Sequence, residues 1–485
     1  MKEQAKQPNI LLFFSDQHAY SYMGNAGNRL INTPALDKLA AEGVSFDNAY
    51  CQNPLCLPSR ASMMAGRYSR NIGIYDNLHI MGQNEITLPY ALGHGGYKTC
   101  LIGKNHYNGE QFQGFQQRPY GDLYGGAHQS EFIRNFEYDP DNENGLGDLM
   151  LNSGPTEIPL PLTQTEICVS ESAKWLQTYL DTGDARPFFL SVNFEKPHFP
   201  FRCPAMYFDK YADRAELPVY REDYLSEYAV QFVQEFFYSR GGPEYANKNA
   251  EERRKALAAY CGCVEWIDDA IGRILDSLRY LGLEENTIVI YSSDHGEMAG
   301  VKGLWRKSLF FDQSCKVPLI IKLPGVYMAG ARTGIPAGLV DLFPTLCEEA
   351  GIQNIPCDGV SLSSLLRGGE APGRDAVFAE SVLPGLPEQA GCMIRTKRYK
   401  YNLYLAGRNE LYDMEEDPSE ECNLSGLPSY ANLEAGLAAR AADFWEPGKQ
   451  LTRFFKTPVF PREKSFYPHS NQFITSCGTV VNARP

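Results

Sequence analysis

Four short apolar runs, widely separated along the chain, constrain the fold more than any other feature. They span residues 9–14, 97–102, 187–194 and 286–291, and each leads into polar or charged residues. Continuous apolar runs of this length are typical of strands that are buried on both faces, as in a parallel sheet. Segments with helical signals lie between them, including 251–281, where apolar residues recur at steps of three and four. The sequence therefore predicts an α/β fold with a large, mixed or mostly parallel sheet flanked by helices.

The residues that follow these runs are candidates for a functional site. In chain order they are Asp16, Lys104, His106, His198, Asp294 and His295. Taken singly, a loop lysine or histidine is usually solvated, and an aspartate in this position is usually a cap or turn residue. Open α/β sheets, however, place their ligands at the carboxyl ends of the strands. We therefore expect Asp16, Asp294 and His295 to meet at one site, although they lie far apart in sequence.

A second feature is the segment 51–73, which contains Cys56-Leu57-Pro58-Ser59-Arg60 followed by Ala65-Gly66. Pro58 suits the first turn of a helix, so we predict a short helix over 59–66 with Cys56 at its N-terminal edge. Backbone N–H groups and the positive helix end favour an anion there. Arg60, one turn on, can add donors for an oxyanion. The alternative is a buried free cysteine beside a surface arginine.

The pentapeptide resembles the Cys-x-Pro-Ser-Arg signature of the type I, formylglycine-dependent sulfatases, which belong to the alkaline phosphatase superfamily. Ala65 stands where threonine is commoner in that signature. In the family, a maturation enzyme converts the cysteine into Cα-formylglycine, and the hydrated aldehyde is the nucleophile. The resemblance therefore implies that Cys56 is converted and that a formylglycine-generating enzyme is a partner of this chain.

The resemblance spans residues 8 to about 425 and implies a full set of site residues. The implied catalytic residues are Cys56, Arg60, Lys104, His106, His198 and Lys307. The implied metal ligands are Asp16, Gln17, Cys56, Asp294 and His295. Carboxylate and amide oxygens suit a hard divalent cation, and Ca²⁺ is usual in the family. Because one of the implied ligands is an imidazole, Mn²⁺ and Mg²⁺ are alternatives to Ca²⁺.

The resemblance also implies a role for each catalytic side chain. Arg60, Lys104 and Lys307 would stabilise the negative charge that develops on the ester. His198, together with Lys307, would protonate the departing alcohol. His106 would take a proton from the remaining hydroxyl of the modified Cys56, so that sulfate is released.

Two local patterns bear on the substrate. The segment 196–201, Lys-Pro-His-Phe-Pro-Phe, resembles carbohydrate-acting sulfatases and favours a saccharide or another small organic sulfate ester. The pairs Asp16-Gln17 and Asp294-His295 instead resemble the branch that contains choline sulfatases and phosphonate monoester hydrolases. A phosphonate monoester or phosphodiester hydrolase with the same site is therefore the alternative function. A non-catalytic protein that binds sulfated glycans is a further alternative.

A change in the sequence pattern near residue 375 predicts two domains. Residues 1–374 would form the catalytic α/β domain, and residues 375–485 a small C-terminal β-rich domain with an extended tail. Segments 392–402 and 409–414 alternate as antiparallel strands do, and 399–401 with 410–418 resembles the small C-terminal sulfatase domain. We expect a long irregular insertion over 111–164, where substrate selectivity would lie, and no clear periodicity over 448–485.

Composition excludes several classes of protein. The net charge of −14 argues against a nucleic-acid partner, which would require a basic surface. No apolar stretch has membrane-spanning length, and the N-terminus lacks the features of a signal peptide. The 13 cysteines are odd in number and have no framework spacing, as expected for reduced thiols in a cytoplasmic protein. Monomer and homo-oligomer are both compatible with these features.

Overall fold

A central sheet with helices on both faces makes up most of the described chain. The structure, a computed structural model, describes residues 7–77, 79, 81–82, 85–106, 112–121, 153–219, 250–383, 386–405, 409–456, 472–474 and 480–482. Within these residues the central sheet has eight strands: β1 (Asn9–Asp16), β2 (Val44–Phe46), β3 (Lys98–Gly103), β4 (Gln117–Gly121), β5 (Phe188–Pro197), β6 (Thr287–Ser293), β7 (Leu319–Lys322) and β8 (Ala331–Thr333). A smaller sheet contains β9 (Ala376–Leu383), β10 (Leu386–Thr396), β11 (Tyr399–Tyr404) and β12 (Glu410–Asp413).

Twelve α-helices lie among the described residues. They are α1 (Pro34–Glu42), α2 (Cys56–Ala65), α3 (Ser69–Ile72), α4 (Leu88–His94), α5 (Gln164–Asp181), α6 (Ala205–Phe208), α7 (Ala250–Tyr280), α8 (Asp312–Cys315), α9 (Leu342–Glu349), α10 (Ser363–Leu366), α11 (Ala431–Phe444) and α12 (Pro447–Lys456). Short strand pairs outside the two main sheets join Ala49–Tyr50 to Ala337–Gly338, Gly154–Pro155 to Arg202–Cys203, and Gln472–Ile474 to Val480–Asn482.

The central sheet is mixed but mostly parallel, with strand order β8-β2-β7-β6-β1-β5-β3-β4. Strand β1 runs parallel to both of its neighbours, β5 and β6. Only β7 is antiparallel to the strands beside it. The predicted α/β class is confirmed, and the four apolar runs become the adjacent strands β6, β1, β5 and β3.

Burial on both faces explains why the run in β1 is uninterrupted. Ile10, Leu12 and Phe14 pack in one core with Leu57 of α2. Leu11 and Phe13 face the opposite core, which is formed with α5 and α7. Because both faces are covered, every residue of β1 is buried. Each large apolar side chain buried in this way contributes about 1.5–3 kcal/mol to folding.

The segment 44–50 is divided into two strands, β2 and Ala49–Tyr50. At the break, the Asp47 N–H donates to the Thr333 carbonyl (2.8 Å), and each piece then pairs with a different strand. Helix α2 begins at Cys56 rather than at residue 59, so the cysteine lies in its first turn.

The smaller sheet is antiparallel throughout, with the order β9-β10-β11-β12, as predicted for the C-terminal region. Helix α11 packs against it, and Trp445 is fully buried beneath. The tail contains helix α12, which we did not predict. Phe454 of this helix packs edge-on against Tyr75, and the Tyr75 hydroxyl donates to Gln450 (2.8 Å). The domain boundary at residue 375 stays a prediction.

Most of the predicted insertion and most of the tail lie outside the described residues, which omit 122–152 and 457–471. The described ends of the insertion contain β4 and the two-residue strand at Gly154. Among the described helices, none combines the length and the apolar character that a bilayer crossing would require.

Gly103, the last residue of β3, supplies a test of this packing. Its φ is +98°, and an added Cβ would lie 2.0 Å from the Asn193 carbonyl oxygen of β5. Gly96 has a similar φ of +93° but open space around it. We expect Gly96→Ala to cost about 1–2 kcal/mol through backbone strain alone, and Gly103→Ala to cost a further 1–3 kcal/mol or so through the clash. Urea unfolding of both variants measures the difference, and equal losses would contradict the packing described.

Candidate active site

The carboxyl ends of β6, β1, β5 and β3 lie side by side and place the predicted site residues along one edge of the sheet. Asp16 ends β1, and Lys104 directly follows β3. The Lys104 Nζ lies 2.8 Å from Asp16 Oδ2. His198, which follows β5, has its Nε2 3.9 Å from Asp16 Oδ1. Residues from three strand ends therefore meet at Asp16, as the parallel arrangement predicts.

Four buried side chains at this edge could hold a metal ion. Asp16, Cys56, Asp294 and His295 each present one donor atom, and these atoms lie within 4.8 Å of one another. Nδ1 of His295 is 2.9 Å from the carbonyl of Gly296, so it carries the proton and donates to it. Nε2 is therefore the ring atom available to a metal, and it lies 3.2 Å from the Cys56 sulfur. Two carboxylates and one imidazole fit a divalent cation.

Arg60 points towards this cluster and not towards an open pocket. Its Nε is 2.8 Å from Asp294 Oδ2, and its Nη2 is 3.1 Å from Asp16 Oδ2. Nη1 donates to the Lys104 carbonyl (3.2 Å), and only 1% of the residue is exposed. We expected Arg60 to offer donors to an oxyanion. In the structure these donors contact the two carboxylates, because both acids lie within reach of the planar guanidinium, and a contact with an oxyanion stays a prediction.

The two carboxylates differ in pKa because their neighbours differ. Burial opposes ionisation of Asp16, but the positive charge of Lys104, aided by Arg60, outweighs it and holds the pKa well below its usual range. Burial raises the pKa of Asp294 to about 6 despite Arg60, and the charge of Asp16 adds to that rise. The pKa values of two close carboxylates diverge in this way when positive charge compensates one of them better than the other.

Cys56 is held at the first turn of α2. The Leu57 N–H donates to Oδ1 of Asn77 (3.0 Å), so a distant side chain caps the start of the helix. Burial and Asp16 raise the pKa of the Cys56 thiol, but Lys307, His295 and a hydrogen bond with His106 together hold it well below its usual value. The structure therefore brings the predicted His106 and Lys307 to the cysteine.

Lys307 and His198 form a close pair beside this cysteine. The Lys307 ammonium donates to His198 Nε2 (2.8 Å), while His198 Nδ1 donates to the Phe199 carbonyl (2.5 Å). Burial, followed by the charges of Lys307 and Lys104, lowers the pKa of His198 to about 3. The imidazole is therefore neutral, and the positive charge of the pair resides on the lysine.

Sequence reasoning missed Glu297. This fully buried carboxylate accepts from the N–H groups of Ala299 (3.0 Å) and Arg306 (2.6 Å) and from Nε2 of Gln17. Arg306 has a φ of +73°, and the adjacent Lys307 contacts Gln17 and His198 in the site. The sequence signal that could have identified Glu297 is its position in Asp-His-Gly-Glu, two residues after His295. Asn77 gave no such signal, because a cap from elsewhere in the chain leaves no local pattern.

Gln17 has a contact that the sequence did not predict. Its Oε1 accepts from the Lys307 ammonium (2.5 Å). We expected this amide oxygen to be a metal ligand, and that role stays a prediction. In the structure the residue links the cluster to the Lys307–His198 pair.

Comparison with known proteins identifies the family. The sulfatase family model matches residues 8–352, which is more than half of the chain. The chain belongs to the sulfatase family, within the alkaline phosphatase superfamily. A second model, described as the C-terminal region of N-sulphoglucosamine sulphohydrolase, matches residues 300–446. Sulfatases are sulfuric ester hydrolases, and the relatives of this chain include enzymes named for that activity.

Relatives of this sulfatase cover nearly its whole length. It is 31% identical to an arylsulfatase of Clostridium perfringens, over 87% of this chain and 91% of that protein. It is 29% identical to an ulvan-active sulfatase of Formosa agariphila, over 96% and 88%. Among solved structures, it resembles the phosphonate monoester hydrolase of Agrobacterium radiobacter, with a TM-score of 0.76, 25% identity and coverage of 99% and 100%.

The cluster predicts that metal retention depends on Asp294. Loss of an outer-shell partner typically weakens metal binding by about 10–100-fold, so we expect Asp294→Ala, which removes a direct ligand, to exceed that effect. Metal content after dialysis and isothermal titration with Ca²⁺ measure the change, with circular dichroism as the check on folding. Asp276→Ala, at an exposed position, is the matched control. Full metal content in folded Asp294→Ala would exclude this site.

Proposed function

We propose that this sulfatase hydrolyses a sulfate monoester through a formylglycine made from Cys56. The observation that carries this proposal is that three other potential metal ligands and several candidate catalytic groups surround Cys56 in one buried site. His106, His198, His295 and Lys307 all act on this one side chain or lie in contact with it. An inert core cysteine would not need such surroundings.

The proposed cation is Ca²⁺, held by Asp16, Asp294, His295 and the modified Cys56, with Gln17 as a further candidate ligand. A divalent cation at this point would lower the pKa of an oxygen nucleophile and neutralise the oxygens of the ester. The residues present fit this group, because the buried carboxylates and the Nε2 lone pair of His295 converge. The formylglycine would supply the oxygen nucleophile, as in the resembling family.

Lys104 and Lys307 are the proposed contacts for the sulfate oxygens. Both ammonium groups are buried, which strengthens their interaction with an anion compared with exposed lysines. Lys104 is paired with Asp16 at 2.8 Å, so a bound ester would share it with that carboxylate. Arg60 acts one step further away, by keeping Asp16 and Asp294 ionised and correctly oriented.

The proposed proton for the departing alcohol comes from the His198–Lys307 pair acting as a unit. His198 is neutral and accepts from Lys307 through Nε2, so it has no proton of its own to give from that atom. Transfer of a proton from the Lys307 ammonium to Nε2 of His198, and from there to the ester oxygen, would release the alcohol and leave the lysine neutral. His106, which is hydrogen-bonded to Cys56, is the proposed base for the second half of the reaction.

The proposed substrate is a carbohydrate sulfate or another small organic sulfate. The match to the C-terminal model of N-sulphoglucosamine sulphohydrolase supports a sugar, as does the segment 196–201. A phosphonate monoester or phosphodiester is the second candidate. The likeness to the Agrobacterium phosphonate monoester hydrolase supports it, and so do the pairs Asp16-Gln17 and Asp294-His295.

Initial rates on an aryl sulfate and on an aryl phosphonate, followed by a panel of sulfated sugars, would separate the candidates. We expect kcat/KM to be higher on the sulfate. A higher value on the phosphonate would transfer the proposal to the second candidate. No turnover of either aryl ester or of any sulfated sugar by protein loaded with metal and carrying the aldehyde would favour a sulfated-glycan-binding protein without catalysis.

His198→Ala tests the source of the proton. Loss of a general acid typically costs about 10²–10⁴ in rate, so we expect a slow but active enzyme. The loss should shrink on aryl esters with acidic leaving groups, which depart without protonation. The matched control is His94→Ala, on the exposed end of α4. An equal loss across leaving groups would mean that His198 positions the ester instead.

Cys56 itself supplies the other test. We expect a peptide covering Cys56 from active protein to show the mass of the aldehyde and to react with a hydrazine. Activity should follow the converted fraction from one preparation to the next, and Cys56→Ala should be inactive. The control is Cys422→Ala, an exposed cysteine whose loss should change nothing. Full activity with an unmodified thiol at position 56 would overturn the formylglycine mechanism.

A further inference from the structure

Helix α8 contacts the backbone of segments that carry the candidate active site. The Gly296 N–H, one residue after His295, donates to the Ser314 carbonyl (2.7 Å). The Cys51 N–H, at the start of the segment that leads to Cys56, donates to the Cys315 carbonyl (3.0 Å). This short helix therefore touches both the metal-ligand loop and the approach to the nucleophile.

The same helix reaches two more of these segments. The Leu309 N–H, just beyond Lys307, donates to the Ser314 hydroxyl (3.3 Å). The Ser21 hydroxyl, in the segment that follows Asp16, donates to the side-chain oxygen of Gln313 (2.7 Å). One element of four residues thus sets the relative positions of segments that are distant in sequence.

The contact between α8 and the loop after His295 leaves no free space. A Cβ added to Gly296 would lie 2.0 Å from the carbonyl oxygen of Gln313. Because packed backbone transmits displacement, a shift of α8 would be felt at His295. The location of α8 therefore matters for the geometry of the site.

Charged residues of the C-terminal sheet hold α8 in place. The Lys400 ammonium, fully buried on β11, lies 2.8 Å from Asp312 Oδ1 at the start of α8 and 2.6 Å from Glu420 Oε1. Glu420 in turn accepts from the Asp312 N–H through Oε2 (2.7 Å). We name Asp312, Lys400 and Glu420 the Lys400 cluster.

A neutral hydroxyl completes the surroundings of Asp312. The Tyr50 hydroxyl is 3.0 Å from Asp312 Oδ1, and Arg395 Nε of β10 donates to the same hydroxyl (2.9 Å). Buried charges are costly unless they are paired and hydrogen-bonded. Moving α8 would separate such pairs, so the C-terminal sheet restricts α8 to one position.

We propose that Lys400 is a positioning residue for the reaction at Cys56. Through Asp312 and Glu420 it holds α8, and through α8 it holds the segments that carry Asp16, Cys56, His295 and Lys307. The C-terminal sheet is thus part of the catalytic apparatus, although it adds no group to the cluster around Cys56. The inference rests on the proposed function, because its kcat assay requires turnover of an ester. It does not depend on which ester is cleaved.

Lys400→Met, which keeps the length of the side chain and removes its charge, is the direct test. Because a misplacement of about 1 Å can cost about 10²-fold in rate, we expect kcat to fall by about 10–100-fold with a smaller change in KM. The Kd for Ca²⁺, measured by isothermal titration, should rise by about 10-fold, as for loss of an outer-shell contact. Lys400→Arg, which keeps the charge, should recover part of both losses.

Lys397→Met, at an exposed position next to β11, is the matched control and should leave both values unchanged. Tyr50→Phe removes the hydroxyl that contacts Asp312 and keeps the ring packing, so it tests the proposal if Lys400→Met does not fold. We expect it to lower kcat by about 3–10-fold, as for one lost hydrogen bond of about 1 kcal/mol. Wild-type kcat and Ca²⁺ affinity in folded Lys400→Met, or in Tyr50→Phe if the former does not fold, would overturn the proposal.

The outcomes also separate this inference from the proposed function. If the wild-type protein cleaves a phosphonate and not a sulfate, the same comparison is made on the phosphonate. If it cleaves neither aryl ester and none of the sulfated sugars, the proposed function fails, and the Ca²⁺ affinities of the variants still decide whether Lys400 positions the site.

Discussion

The pairing of Arg60 with Asp16 and Asp294 is the interaction on which the candidate site depends. Two carboxylates this close would repel each other in a buried position, and one of them would take up a proton. The guanidinium lies within 3.1 Å of both and compensates them together. Because Arg60 belongs to α2 and the acids to the ends of β1 and β6, the same contact fixes helix α2 against the sheet.

The balance of charge explains how an acidic protein could attract an anionic ester. The chain carries −14 overall. Around Cys56, however, the ammonium groups of Lys104 and Lys307 and the Arg60 guanidinium lie close together, while His198 is held neutral. A bound divalent cation would add further positive charge there. These nearby charges act on an anion inside the cleft, although the net negative charge of the protein repels the anion at a distance.

The segment between β6 and β7 joins the two parts of the molecule. The two family models overlap over residues 300–352, which include Lys307 and α8. On one side this segment supplies the ammonium that contacts His198, and on the other it is paired with Lys400 of the smaller sheet. The smaller sheet is therefore coupled to the site by buried charges, which constrain geometry more strictly than apolar packing does.

The sequence by itself determined the fold class, the strands that bear the site and the residue types at their ends. Those features are local: an unbroken apolar run such as that of β1 shows burial on both faces, and Pro58 shows the start of a helix. The parallel direction of these strands then predicted that Asp16, Asp294 and His295 would meet. Only the tertiary structure decided that Arg60 faces the acids, that Lys307 donates to His198, and that Glu297, Asn77 and Lys400 support them. Each of these contacts depends on the register and packing of separate elements, and no local pattern in a single sequence encodes them.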